Sequence, residues 1–226
     1  MPESDIKKRD IRSYVIREGR MTPGQKRALV EQWATYGLNL EDGLIDLAFN
    51  KESGENPLFE KGGDIILEIG FGMGDSLFEM AQIFPDKNFI GAEVHRPGVG
   101  HLLQLAASHE LKNLRAFQAD SIDVLSQCIP DESLSKVQIF FPDPWHKKKH
   151  HKRRLITKEF VALVREKLKL DGILHIATDW APYAEVIDEV MQSWTPCEIP
   201  KRVETKYERR GLKLEHEVFD MAFKKN

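Results

Sequence analysis

The sequence predicts an α/β protein with a doubly wound, mostly parallel sheet and a C-terminal antiparallel hairpin. From residue 64 onward, short apolar segments alternate with segments of helical spacing. The apolar segments are nearly continuous in hydrophobicity, which is typical of strands covered on both faces. Strands that alternate with helices favour parallel pairing, with helices on both sides of the sheet. A chain of 226 residues with 41% hydrophobic content can bury a core of this kind.

Each element follows from a local pattern. The segments predicted to be strands are IILEIGF (65–71), NFIGAEV (88–94), LRAFQA (114–119), KVQIFF (136–141) and GILHIAT (172–178). Helical spacing of apolar residues predicts helices at 74–84, 98–110, 121–128, 157–169 and 182–194. The stretch 202–225 holds the alternating run LEHEVFDMAF with no helix after it, and predicts the closing hairpin. Open sheets bind ligands at the carboxyl ends of their strands, so the chemistry is expected there.

The sequence predicts two regions. Residues 1–60 are expected to form a basic extension with a helix, and residues 61–226 the ligand-binding domain. Thr22 and Pro23 are typical of a helix start, Gly37 is expected to end that helix, and 39–63 is expected to be a connector. Neither a secretory leader nor an apolar run of membrane-spanning length is visible, which predicts a cytoplasmic protein. The two cysteines match no metal spacing.

Charge composition limits the function classes. The 33 basic and 36 acidic side chains give a formal net charge of −3, so the chain as a whole does not attract nucleic acid. A surface that binds nucleic acid must therefore be local.

The first predicted strand ends in LEIGFGMG, which places Glu68, Gly70, Gly72 and Gly74 at successive even positions. A strand that enters a glycine turn and then a helix lets the backbone come close to a ligand. The dinucleotide fingerprint requires a third glycine where this chain has Asp75. The loop therefore favours an adenosine with a sulfonium over a pyrophosphate, and the Glu68 carboxylate suits a cationic amino-acid group.

Two more acidic residues end predicted strands. Glu93 closes the second strand, where a carboxylate typically binds ribose hydroxyls, and Asp120 closes the third, where it can accept from an adenine amino group. Strand ends are often polar for solubility alone, and that alternative stays open for each acid taken singly. Together with Glu68 at the same edge, they indicate S-adenosylmethionine as the cofactor.

The stretch FPDPWHKKKHHKRR follows the fourth strand. Prolines on both sides restrict Asp143, and Trp145 offers a flat face on which a base can stack. The cations that can hold phosphates are Lys147, Lys148, Lys149, Lys152, Arg153 and Arg154. A solvated basic face is the alternative interpretation. A metal at the neighbouring histidines is not favoured, because the surrounding cations would repel it.

Two later motifs are expected at the same edge. ATDW places Asp179 after the fifth strand, where it can cap the next helix, a role that does not exclude contact with substrate. TKYERRG contributes Thr205, Lys206, Tyr207 and Glu208 near the start of the hairpin.

In this order, the motifs LEIGFGMG, GAEVHRPGVG, FPDPWHKKKHHKRR, ATDW and TKYERRG resemble those of the tRNA (guanine-N7)-methyltransferase family over nearly the whole chain. The resemblance implies a class I, Rossmann-like methyltransferase fold that methylates a guanine in the tRNA variable loop. It also implies a monomer or homodimer that needs no obligatory protein partner and no membrane. The implied cofactor contacts are Glu68, Glu93, Asp120 and Asp143, with Asp143 also catalytic. The implied tRNA contacts are Lys147, Asp179 and Thr205 through Glu208.

Other functions remain as alternatives at this stage. A small-molecule methyltransferase would share the glycine loop but has no use for the basic run. A non-catalytic RNA-binding module would keep the basic run and lose the cofactor. A nicotinamide dehydrogenase is disfavoured by Asp75.

Overall fold

An eight-stranded sheet forms the centre of the molecule in a computed structural model, which describes residues 12–14, 19–48, 56–205, 208–209 and 217–226. The strands are β1 (Gly37–Leu38), β2 (Ile65–Ile69), β3 (Asn88–Ala92), β4 (Leu114–Phe117), β5 (Leu134–Phe140), β6 (Leu168–Thr178), β7 (Thr195–Pro196) and β8 (Phe219–Lys224). The helices are α1 (Pro23–Glu31), α2 (Trp33–Tyr36), α3 (Asp75–Ile83), α4 (Arg96–Ser108), α5 (Ser121–Gln127), α6 (Lys158–Lys167) and α7 (Ala181–Met191). Short 3-10 helices occupy Leu40–Asp42 and Lys148–Arg153.

The strand order is β1-β4-β3-β2-β5-β6-β8-β7, with β8 antiparallel to both of its neighbours and the other pairs parallel. β2 lies between β3 and β5, and the chain winds away from it in opposite directions. That arrangement is the topological switch point, where a crevice opens beyond the carboxyl ends of the strands. The predicted doubly wound, mostly parallel sheet is confirmed.

The alternation of side chains along β2 determines which face of the sheet carries the Glu68 carboxylate. Ile65, Leu67 and Ile69 pack into the core on one face of the sheet, and Ile66 packs into the core on the other. Side chains of a strand point alternately to its two faces, so Glu68 shares the face of Ile66. All five residues of β2 are buried, as the continuous apolar segment predicted.

The N-terminal helix differs from the sequence expectation. Thr22 and Gln25 form a capping box that starts α1 as predicted, but the helical region divides into α1 and α2 at Gln32. Gly37 ends α2 and also begins β1, which pairs with β4 at the edge of the sheet. A side chain at Gly37 would overlap the Trp33 indole, because its Cβ would lie 2.2 Å from that ring. The turn from α2 into the sheet edge therefore requires a residue without Cβ.

The closing antiparallel pair is confirmed, but its first arm lies earlier than expected. The sequence placed both arms within 202–225, whereas the outer partner of β8 is β7, at Thr195–Pro196. α7 ends at Met191, and a turn bonded from Trp194 N–H to the Met191 carbonyl at 2.8 Å leads directly into β7. Of the stretch between β7 and β8, residues 206–207 and 210–216 lie outside the described residues.

Among the described residues, no helix is both long enough and apolar enough to cross a bilayer. The apolar content instead fills two cores, one on each face of the sheet.

We expect Leu67→Ala to lower the free energy of unfolding by about 3 kcal/mol, because Leu67 is fully buried on the central strand and truncation leaves a cavity. Chemical denaturation of both proteins measures the difference. Leu170→Ala is the matched control: Leu170 is 71% exposed, and its truncation should change stability by less than about 0.5 kcal/mol. Equal losses in the two variants would contradict the assignment of the core.

Candidate active site

One cavity of about 1020 Å³ opens at the carboxyl ends of β2, β3, β4 and β5. Its lining includes nine residues that the sequence predicted for the site: Glu68, Gly70, Gly72, Gly74, Glu93, Asp120, Asp143, Lys147 and Thr205. The structure therefore brings all four predicted cofactor carboxylates to the lining of one cavity.

The glycine loop after β2 forms the floor of this cavity. Gly70 and Gly72 have φ values of +73° and +60°, which L side chains rarely adopt. Apart from the adjoining residues of the chain, no atom lies within 4 Å of where a Cβ would stand at either residue, so the loop presents bare backbone to open space. From below, α4 presses on the loop so closely that a Cβ on Gly98 would lie 1.8 Å from the Gly72 carbonyl oxygen. The loop is thus fixed from beneath and accessible from above.

Glu93 holds the glycine loop to the end of β3. One carboxylate oxygen accepts from the Gly72 N–H at 2.8 Å, and the other accepts from Val94 N–H at 2.7 Å and His95 N–H at 2.8 Å. An ionised carboxylate has about four acceptor positions, so one remains for a ligand hydroxyl. The sequence predicted only ribose binding at Glu93, and the structure adds this role in shaping the loop.

Glu68 lies at the base of the cavity and is 3% exposed. Burial raises the pKa of its carboxyl to about 7, against the opposing effects of a hydrogen bond from Gln138 Nε2 at 2.5 Å and the charge of Lys136. Burial also lowers the pKa of Lys136 to about 8. A cationic ligand group beside Glu68 would favour its ionised form and lower that pKa. Glu68 is therefore poised to respond to a positively charged ligand.

Asp120 and the N-terminal segment meet across the cavity. Asp120 caps α5 by accepting from the Ile122 N–H at 3.0 Å. The Tyr14 hydroxyl accepts from Arg12 Nη1 at 2.8 Å, and both burial and the charge of Asp120 raise the pKa of the Tyr14 phenol. Ser13 also lines the cavity, and its carbonyl accepts from Trp145 Nε1 at 3.0 Å. The sequence analysis missed this cover, because the polar N-terminal stretch carries no periodic signal.

The loop after β5 carries Asp143, which is exposed at the cavity rim. Phe141 and Trp145, on either side of it, have φ values of +54° and +46°, so the loop holds an uncommon backbone conformation. Arg154 supports the loop from below: its Nε donates to the Pro144 carbonyl at 2.9 Å, and its guanidinium lies 4.8 Å from the Tyr183 ring centroid. Arg154 was predicted to contact phosphate, but it is 7% exposed, and its guanidinium is directed inward to the loop.

The other predicted phosphate contacts differ in exposure. Lys147, Lys148 and Lys152 are exposed on and beside the 3-10 helix that follows the loop. Arg153 is half-buried, with its guanidinium 5.1 Å from the centroid of the Trp145 ring. Lys149 is exposed as well, so these four lysines are the cations of this group that remain open to a large polyanion.

The aromatic residues at the rim are arranged differently from the sequence expectation. Trp145, predicted to stack on a base, is flanked by Arg153 and by the ring of His150, whose centroid is 5.8 Å away. Trp180 is 39% exposed and contacts His146 edge to face at 4.4 Å. Trp180 is also the residue at the N-cap position of α7, one position after Asp179. Asp179 is exposed beside it.

Thr205 and Glu208 form a closed turn. The Thr205 Oγ1 accepts from the Glu208 N–H at 3.1 Å, and the Glu208 carboxylate accepts from the Thr205 N–H at 3.2 Å. Glu208 is 8% exposed and pairs with Arg202, a residue that the sequence analysis did not select. Lys206 and Tyr207, also predicted to contact tRNA, lie outside the described residues.

We expect Glu68→Gln to gain stability over wild type as pH rises. The folded-state pKa of the Glu68 carboxyl, about 7, lies above its ordinary value of 4.5. The wild-type carboxyl therefore makes its full contribution to stability below pH 4.5, and that contribution is lost as the pH rises to about 7. The difference between the proteins should grow by roughly 3 kcal/mol over that range. Denaturant unfolding across the pH series measures it. Glu79→Gln, on the exposed side of α3, should follow wild type, and a pH-independent difference for Glu68→Gln would contradict the pKa assignment.

Comparison with known proteins agrees with this geometry. Residues 63–221 match the protein family described as "Putative methyltransferase". The chain is 49% identical to the tRNA (guanine-N(7)-)-methyltransferase of Saccharophagus degradans, over 99% of both chains. It is also 49% identical to the enzyme of the same name from Colwellia psychrerythraea, over 96% of this chain and 90% of that one.

Two solved structures share the fold at low sequence identity. The 16S rRNA methyltransferase KamB superposes with a TM-score of 0.57 at 14% identity, over 79% of this chain and 95% of that chain. A SAM-dependent methyltransferase from Aquifex aeolicus superposes with a TM-score of 0.52 at 12% identity and the same coverage. These likenesses confirm the class I methyltransferase fold. With near-complete matches at about half identity, the chain belongs to the tRNA (guanine-N7)-methyltransferase family.

Proposed function

We propose that this protein transfers a methyl group from S-adenosylmethionine to N7 of a guanine in the variable loop of tRNA. The observation that carries the proposal is the junction of two surfaces at one rim. The cavity lined by Glu68, Glu93 and Asp120 opens beside Asp143 and Lys147, where the exposed lysines begin. A small-molecule methyltransferase needs only the cavity, and an RNA-binding module needs only the lysines.

The residues at the cavity fit the cofactor. The bare backbone at Gly70 and Gly72 admits a close ligand, and the buried carboxyl of Glu68 suits a cationic amino-acid group. The acceptor position left on Glu93 suits a ribose hydroxyl, and Asp120 suits an adenine amino group. When bound, S-adenosylmethionine supplies an electrophilic methyl group on a positively charged sulfur.

The residues of this chain have a limited chemical task in the proposed reaction. Guanine N7 carries a lone pair and no proton, so no general base is required. The protein instead orients the base and stabilises the positive charge that it gains. Asp143 and Asp179 follow β5 and β6, adjacent strands paired at Phe140 and Ala177, so both carboxylates reach the same edge. We assign the main charge-stabilising role to Asp143 because it lines the cavity.

The tRNA backbone is proposed to lie along the exposed lysines Lys147, Lys148 and Lys152, and to approach Asp179 and the Thr205–Glu208 segment. A lysine on the surface holds phosphate as a flexible point charge and does not require a fixed geometry. Arg153 stands at the inner edge of this surface, against Trp145.

Assembly, location and the division of the chain are part of the proposal. We propose that the protein acts in the cytoplasm as a monomer or homodimer without an obligatory protein partner. Residues 61–226 are proposed to carry the chemistry. Residues 1–60 are proposed to support it, since β1 pairs with β4 and Gln25 of α1 lies against Gly100 of α4.

The proposed function is tested by incubating the protein with bulk tRNA and methyl-labelled S-adenosylmethionine, and then mapping 7-methylguanosine. We expect label at guanine N7 in the variable loop. A metabolite mixture without tRNA is the control. Label in the metabolites with none in tRNA would refute the proposal, and so would a failure to bind the cofactor in an equilibrium assay.

We expect Asp143→Ala to lower the turnover number at least about 100-fold, because it removes a charge placed where positive charge develops. The tRNA affinity should change little, since the exposed lysines remain. Single-turnover methyl transfer and equilibrium tRNA binding measure the two quantities. Asp86→Ala, an exposed acid at the amino end of β3, is the matched control and should match wild type. Near-normal turnover in the Asp143 variant would show that this carboxylate is not catalytic.

We expect the triple alanine variant of Lys147, Lys148 and Lys152 to bind tRNA more weakly and with a weaker salt dependence. Fewer phosphate contacts mean that fewer counterions are released on binding, so the slope of log affinity against log salt concentration should decrease in magnitude by about 2. Filter binding over a salt series measures the slope.

The matched control replaces three exposed lysines at the opposite edge of the sheet, namely Lys61, Lys112 and Lys169. This variant carries the same change in net charge and should keep the wild-type slope. If both triple variants lost the same slope, binding would depend on net charge and not on the proposed surface.

A further inference from the structure

A buried ion-pair cluster lies beneath the Thr205 turn, with Arg202 at its centre. The Arg202 Nη2 donates to Glu208 Oε1 at 2.8 Å, and Nη1 donates to Glu208 Oε2. The third nitrogen, Nε, donates to Asp220 Oδ2 of β8 at 2.8 Å. One guanidinium thus joins the turn to the sheet by bidentate, charge-assisted hydrogen bonds, which fix geometry as well as charge.

The charged groups of the cluster are largely buried, and Asp220 is the most exposed of them, with a side chain that is 25% exposed. The side chains of Arg202 and Glu208 are 7% and 10% exposed. Asp220 accepts from His175 Nε2 at 2.6 Å on its other carboxylate oxygen, and His175 on β6 is fully buried. Removing Arg202 would leave the Glu208 carboxylate buried without its cation, and Arg202 bridges the two carboxylates, so the members are expected to act as a unit.

Arg202 also contacts the start of the loop that carries Asp143. Its guanidinium lies 5.0 Å from the ring centroid of Phe140, and His175 contacts the same ring edge to face at 5.0 Å. Phe140 ends β5, three residues before Asp143. The cluster therefore lies under both the Asp143 loop and the Thr205 turn.

The Glu208 carboxylate is occupied by partners inside the protein. It takes two hydrogen bonds from Arg202 and one from the Thr205 N–H, whereas Thr205 lines the cavity. Its effect on tRNA is therefore indirect and passes through the position of Thr205. Thr205 is bonded to Glu208, and Glu208 is bonded to Arg202. These linked hydrogen bonds hold Thr205 to a narrow range of positions at the cavity.

We propose that Arg202 is a positioning residue that holds the Thr205 turn against the cavity rim, opposite Asp143, in the register that places the target base. The inference rests on the proposed function and deepens it, because it assigns the effect to the tRNA side of the reaction. Arg202 acts through Glu208 and Asp220 and does not contact substrate itself. The competing explanation is a buried pair that only stabilises the fold.

The test compares Arg202→Ala with Lys167→Ala. Lys167 is a buried cation whose ammonium pairs with the exposed Asp131 carboxylate at 2.6 Å, near the amino ends of the strands, so its truncation reproduces the loss of a buried, paired cation away from the site. The measured quantities are the melting temperature, the equilibrium affinity for S-adenosylmethionine, and kcat and KM for tRNA. Both variants are expected to melt at lower temperature than wild type.

For Arg202→Ala we expect kcat/KM for tRNA to fall at least about tenfold, while affinity for S-adenosylmethionine stays within about threefold of wild type. Lys167→Ala should keep wild-type kcat/KM despite its lower melting temperature. Millimolar guanidinium should partly restore the kcat/KM of Arg202→Ala, because the ion can occupy the space left by the Arg202 side chain. Sodium at the same ionic strength should not. A purely structural pair would give equal losses in both variants and no guanidinium rescue, which would overturn the proposal.

Two conservative variants keep the test decisive if Arg202→Ala does not fold. Arg202→Lys keeps the charge but loses the fork, and Glu208→Gln keeps the shape but loses the charge. Each should lower kcat/KM for tRNA, and the double variant should be no worse than the poorer single variant, because the two residues act as one unit. Additive losses would overturn the proposal. A wild-type protein that methylates no guanine N7 would refute the proposed function, whereas an active wild type with unchanged Arg202 variants would refute only the role of Arg202.

Discussion

The structure depends most on the three backbone N–H groups that converge on the Glu93 carboxylate. These hydrogen bonds fix the glycine loop to the end of β3 and leave its upper surface bare. Without them the donors around Gly72 would be unsatisfied in a half-buried loop, which is unfavourable. The loop position in turn determines where α4 packs beneath and where the cavity opens above. One side chain therefore connects the sheet, the helix layer and the candidate active site.

Charge is separated sharply at this site. The cavity collects the carboxylates of Glu68, Glu93 and Asp120, while the lysines that follow Asp143 are exposed to solvent, beginning with Lys147 at the cavity lining. A net charge of −3 gives no general attraction to nucleic acid, so the local lysines must orient a polyanion against an otherwise balanced surface. Asp143 stands between the two regions. Its location suits a group that stabilises positive charge as that charge passes from a bound cation to a base.

The parts of this structure that the sequence predicted well are those with a periodic or edge-defined signal. Continuous apolar runs located the central strands, and the carboxyl ends of parallel strands meet at one edge, so the convergence of Glu68, Glu93 and Asp120 could be predicted. The inward direction of Arg154 and Glu208 could not be predicted, because each depends on the local backbone geometry of an irregular segment, which places Pro144 against Arg154 and Arg202 against Glu208. The contact of the N-terminal segment with Trp145 is of the same kind. Polar residues inside apolar strands, such as His175, were the one visible signal of the buried cluster.

The choice between arginine and lysine follows the division between support and substrate contact. A guanidinium has a planar fork that satisfies several acceptors at once, which suits a buried position with fixed partners. Arg154 and Arg202 are of this kind, and each is 7% exposed, by residue for Arg154 and by side chain for Arg202. An ammonium is strongly hydrated and flexible, which suits contact with phosphates whose exact position varies, and Lys147 and Lys148 are exposed. The basic run therefore has two roles. Its lysines face solvent, and its final arginines support the loop that carries Asp143.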